Sequence, residues 1–75
     1  MKKISPADIT ALGAAIGKKC LIEFDVVGFN SEQYEGLITK MEFNDRTGKI
    51  RIAIEIDGAG ILIPTESIIS LEVDD

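Results

Sequence analysis

The chain has no histidine, no tryptophan and one cysteine among its 75 residues, and each shortage closes off a class of protein. A lone Cys20 cannot close an intrachain disulfide, so a disulfide scaffold is excluded. Without imidazole, and with a single thiol, there is no ligand set for a structural zinc ion. A nucleophilic Cys20 would need a neighbouring base such as histidine, which the sequence does not offer. Carboxylate pairs such as Glu23 and Asp25 share a strand face and read as solvated surface rather than an acid–base pair. The expectation is a protein that is not an enzyme and that needs no metal or cofactor. No apolar run approaches the roughly 18 residues that span a bilayer. Met1-Lys2-Lys3 is followed by Pro6, Asp8 and Thr10, which interrupt any signal-peptide core. An unpaired cysteine suits a reducing compartment, so the expected location is cytoplasmic.

What is present points to one small domain over residues 1–75. Hydrophobic residues make up 45% of the chain and charged residues 28%, too apolar for disorder. A domain of this length buries only about 60% of its unfolded surface, so its own core is marginal. With disulfides and zinc excluded, association with further copies is the remaining stabiliser. The net charge of -5 argues against a general nucleic-acid binder, whose footprint is basic. The charge is unevenly spread, however. Lys2, Lys3, Lys18 and Lys19 flank a segment holding only Asp8, whereas residues 20–75 carry four basic and twelve acidic groups.

The pattern changes once along the chain. Ser5 is a good N-cap, Pro6 suits the first helical position, and Ile4 and Ile9 have hydrophobic-staple spacing. Ile9, Leu12 and Ile16 repeat at helical spacing, and Gly17 is a natural C-cap, so a helix is expected over about 5–17. From Cys20 the period is two: Cys20, Ile22, Phe24 and Val26 share a face. Gly28 with Asn30-Ser31-Glu32 marks a turn. A second strand runs from about Tyr34 to Phe43, with a bend or bulge expected at Gly36. Residues 44–48 read as a loop. Ile50, Ile52, Ile54 and Ile56 then alternate with Arg51, Ala53, Glu55 and Asp57, and Asp57-Gly58 opens a tight hairpin turn. Ile61-Leu62-Ile63 ends at Pro64. Thr65-Glu66-Ser67 suits a single 3₁₀ turn, and Ile69, Leu71 and Val73 form the last alternating strand. The expected fold is mainly β: an N-terminal helix, then a strongly bent five-stranded SH3-like small barrel over about 19–75.

These residues resemble the Sm and Sm-like (LSm) family, whose layout of helix plus bent five-stranded barrel matches nearly the whole chain. The family's first motif is similar to Leu21-Ile22-Glu23-Phe24, then Gly28, then Tyr34-Glu35-Gly36-Leu37-Ile38, with Glu42 at the acidic position. The second motif departs from the family. Where RNA-binding members carry Ile-Arg-Gly or similar, this chain has Ile63-Pro64-Thr65, so Pro64 replaces the basic residue and Thr65 the glycine. Asn44 lies close to the family's base-contacting asparagine, with Arg46 nearer that register, and the lysine–histidine pocket of bacterial members is absent. Small proteins of this type also occur in phages. The resemblance implies a closed homo-oligomeric ring that binds RNA or single-stranded nucleic acid; the alternative is a homo-oligomeric scaffold or protein-interaction module without RNA binding.

The candidate nucleic-acid residues are Lys18, Lys19, Tyr34, Glu42, Asn44 and Arg46. The lysines would repeat around one face of a ring and attract phosphate, or else merely complement a helix C-terminus. Tyr34 and Phe29 could stack on bases or belong to the core. Arg46, Lys49 and Arg51 stand with Asp45 and Glu42, either as a solvated hairpin of mixed charge or as an RNA contact. Gly58-Ala59-Gly60 has none of the context of a phosphate loop. Ile61-Leu62-Ile63 is apolar on both faces, so something covers the outer one: the helix, or the next subunit. The expected subunit interface is Ile61, Leu62, Ile63, Ile69 and Leu71, which resembles the way Sm-like rings join through their last two strands.

Overall fold

The computed structural model describes residues 1–25 and 32–74. In chain order these form β1 (Lys2–Lys3), α1 (Ile9–Ala14), β2 (Lys19–Phe24), β3 (Gln33–Asn44), β4 (Lys49–Ile56), β5 (Ala59–Pro64), a 3₁₀ turn (Thr65–Ser67) and β6 (Ile68–Val73). The strands make one antiparallel sheet in the order β1-β6-β2-β3-β4-β5, so β1 and β5 are its two outer strands and are not paired with each other. The architecture is mainly β with one short helix. Val26, the expected turn at Gly28 and the candidate stacking residue Phe29 lie outside the described residues.

The helix is shorter than its expected span. Ser5 does not cap it: the Ser5 hydroxyl accepts from the Ala7 amide at 3.2 Å, and the Ser5 carbonyl accepts from Asp8 at 3.1 Å. These bonds close a separate turn. The Asp8 carboxylate then accepts from the amides of Thr10 and Ala11, satisfying two donors the first helical turn leaves open. After Ala14 the chain tightens through Ala15 and Ile16 to Gly17, whose φ of +86° is the left-handed conformation that glycine reaches without a steric penalty. The Gly17 amide donates to Ile38 at 2.7 Å, which starts β2 in register. So short a helix buries only Leu12 and, just past its end, Ala15. Ile9 and Ile16 stay about two-fifths exposed, contrary to the expected stripe.

β3 is the hinge of the sheet. Its first half pairs with β2 and its second with β4, the change falling at Leu37. The bulge lies at Thr39 rather than Gly36: Ile38 faces Ile54, Lys40 faces Ala53, and the Thr39 hydroxyl donates to the Ala53 carbonyl at 3.2 Å. Gly36 does something else. A Cβ there would overlap the Ile54 methyl Cγ2 and come within 3.0 Å of the Glu55 carbonyl oxygen, so β4 approaches β3 at Gly36 where only hydrogen fits.

β4 meets its expectation: Ile52, Ile54 and Ile56 are buried. Asp57 and Gly58, with φ of +51° and +82°, make the hairpin turn to β5, both central residues left-handed as such turns require. Pro64 ends β5 and starts the 3₁₀ turn, as its missing amide hydrogen allows. β6 breaks its expected alternation. Ser70 pairs with Glu23 but Ile68 pairs with Phe24, so Ile69 is the extra residue and is extruded, 54% exposed. β1 was not foreseen: Lys2 pairs with Val73 and Lys3 with Glu72.

Candidate nucleic-acid interface

The β3–β4 hairpin carries most of the polar chemistry. Its tip is folded by its own side chains, since Asn44 Oδ1 accepts from the Arg46 amide at 3.0 Å and Thr47 Oγ1 accepts from the Lys49 amide at 3.3 Å. Such side-chain turns are why Asn and Thr stand there. They use one acceptor on each residue and leave the Asn44 NH₂ and the Thr47 hydroxyl hydrogen free to donate. Arg51 donates to Glu42 Oε1 at 3.1 Å across the hairpin, and Lys40 reaches the other oxygen at 3.4 Å. Lys49 pairs with Glu66 of the 3₁₀ turn at 3.6 Å. These pairs are largely exposed and contribute about 0–1 kcal/mol each, so an incoming phosphate can compete for the cations.

Two concavities flank this hairpin. One, of about 580 Å³, lies between Asn44, Thr47, Lys49 and Arg51 on one side and Pro64, Thr65 and Glu66 on the other, with Ala7 and Ile50 supplying apolar surface. That volume is within the range of small-molecule sites, roughly 300–1,000 Å³. The second, of about 360 Å³, is lined by Glu42, Phe43, Asn44, Asp45, Arg46 and Arg51. Asn44 and Arg51 therefore border both.

Phe43 is the residue that sequence reasoning missed. By alternation it belongs to the inner face of β3 with Ile38 and Met41, and it pairs with Ile50. Yet the hairpin runs on beyond the core, which leaves the ring 55% exposed beside Arg46 and Arg51. An apolar residue one step before a polar loop was the available signal.

The sequence-derived candidates fall into three places. Glu42, Asn44 and Arg46 meet at the hairpin, with Glu42 held by two cations. Lys18 and Lys19 border a separate hollow with Gly17 and Asp74, and Lys18 also lines a small cleft with Lys2. Tyr34 is half-buried on β3, its ring 5.3 Å from that of Phe24 and packed against the core. No described cavity joins the lysines, Tyr34 and the hairpin.

Of the expected interface residues, Ile63 and Leu71 are fully buried and Ile61 is packed against the core. Their side chains already belong to this chain's own core. Leu62 and Ile69 are the exposed ones, at 41% and 54%, so the helix does not cover the outer side of β5. Cys20 is buried, and burial pushes its thiol up to about 11, partly offset by a hydrogen bond with the Gly36 backbone. It is protonated at neutral pH and is no nucleophile.

Among the described residues no group of acidic, cysteine or histidine side chains could hold a metal ion, and no helix is long and apolar enough to cross a membrane. No protein family, curated protein or solved structure matches this chain.

Proposed function

We propose that this chain is a small open barrel that assembles into a homo-oligomeric ring of the Sm-like type and binds single-stranded RNA across the tip of its β3–β4 hairpin. The barrel reading is supported by the core. Among the described residues, eleven of the thirteen buried apolar ones stand on strands, and only Leu12 and Ala15 come from the helical segment. A flat sheet under a six-residue helix cannot seal so many side chains from water, whereas a curled sheet supplies its own facing layer.

The observation that carries the RNA reading is Phe43, an aromatic ring more than half exposed beside Arg46 and Arg51. Bases stack on such rings for about 1–3 kcal/mol each, whatever their sequence. The neighbouring guanidiniums would take phosphate, and the Asn44 amide and Thr47 hydroxyl would donate to a base edge in the larger concavity. The hairpin from Lys40 to Arg51 carries four cations and two carboxylates, so it is locally basic in an acidic chain.

Fluorescence anisotropy with labelled U-rich and A-rich oligonucleotides tests this at low and moderate salt. Binding should weaken with salt, and Phe43→Ala should lower affinity by roughly 5- to 100-fold, the loss of one stacked base. The second reading, a scaffold ring, is favoured by one observation: Lys49 and Arg51 are each already matched by a carboxylate. An oligomer that ignores both oligonucleotides would assign it.

A further inference from the structure

We propose that the Lys2–Lys3 strand is a displaceable guard, which competes with β5 of a second copy for the outer edge of β6. The proposal rests on the oligomeric reading above and adds a control to it.

β1 covers only part of that edge. Lys2 pairs with Val73 and Lys3 with Glu72, and the Ile4 amide donates to the Leu71 carbonyl at 3.0 Å. The stretch Ile68–Ser70 lies beyond its reach, and Ile69 is extruded there. β5 is six residues long, as is β6, and among the described residues it has no partner on its outer side. Its residues Ala59-Gly60-Ile61-Leu62-Ile63-Pro64 carry no charge, and Leu62 is exposed. A second copy's β5 could use the whole of β6 only after β1 had left, and the seam would then bring Leu62 to the edge where Ile69 projects. β5 and β6 lie toward opposite ends of the sheet, so the pairing is head-to-tail and propagates or closes.

The guard is built to yield. Two exposed residues sharing a short ladder lie at the low end of local opening free energies. Paired lysines on a short strand also deter random edge pairing by their charge. Ile4, packed against the core, keeps the segment close to the edge it leaves.

Sedimentation velocity over a concentration series tests the guard on the full chain, on a chain lacking residues 1–3, and on Lys2→Pro. The Lys2→Pro chain keeps its length but loses the amide facing Val73 in a hydrogen-bonded ladder position. Circular dichroism checks that each is folded, and Lys2→Pro serves if the truncation is not. Both variants should associate at least about tenfold more tightly than the full chain. Equal association of all three would overturn the guard and leave the oligomer standing. No association by any of them at millimolar concentration would overturn the oligomeric reading, and the guard with it.

Discussion

At one end of the sheet β6 is partly covered by Lys2 and Lys3, while at the other no described strand pairs with β5 on its outer side from Ala59 to Pro64. The covered end has a short strand, two lysines and a bulge at Ile69, all devices that keep an edge from pairing at random. The bare end has a single such device, Pro64, placed where the strand stops. Its remaining residues are small or aliphatic, and the backbone groups of alternate residues face outward unpaired by any described strand. A chain that needed to stay monomeric would have had reason to guard both ends. Guarding one and baring the other suits an edge that pairs with a specific partner, and a marginal core gains most from such a partner.

Substituting the joint between the two ends has the largest expected effect. Alanine in place of a strand glycine ordinarily stabilises, because the unfolded chain loses freedom. At Gly36 the added methyl overlaps Ile54, so Gly36→Ala should instead destabilise by about 1–3 kcal/mol in urea unfolding. Both edges would loosen together, because β3 links the half of the sheet holding β6 to the half holding β5. A neutral or stabilising result would mean that β4 does not approach Gly36 so closely.

The smallest expected effect is local to the covered end. Cys20 lies opposite Val73, the residue that Lys2 also faces. With its thiol pushed up to about 11, alkylation in the folded state should keep accelerating past pH 10. A plateau near pH 9 would show that the thiol already meets water. The sign for stability follows from the same shift. The neutral thiol is favoured by the fold, so its contribution is complete below the ordinary value of 9.0 and is lost as pH rises through about 11.

Much of this fold was legible. The four alternating isoleucines of β4, the Asp57-Gly58 turn and the three-residue 3₁₀ turn each follow from local chemistry that nothing distant overrides. The helix is shorter than the sequence suggests because Ser5 and Asp8 are both competent caps and the fold uses Asp8. β1 was invisible, since two lysines have no period and their strand exists only because β6 offers an edge. Ile69 was misplaced because a bulge shifts alternation without any mark in the sequence. At the candidate site, the grouping of Glu42, Asn44 and Arg46 came from their closeness in the chain. Glu66 against Lys49 could not be read, because β5 and its turn fold back across the hairpin. Phe43 was hidden by its own alternation, which correctly gave its face but not where the core ends.

The measurement that bears most directly on the bare edge is the mass of the native chain and of Leu62→Lys, by light scattering at matched concentration. Leu62 is exposed on β5, so the charge should alter monomer stability by no more than about 0.5 kcal/mol. The expected result is a native oligomer of defined mass and a folded Leu62→Lys that dissociates at least about tenfold more readily. A native chain that stays monomeric, or an oligomer indifferent to the lysine, would contradict it.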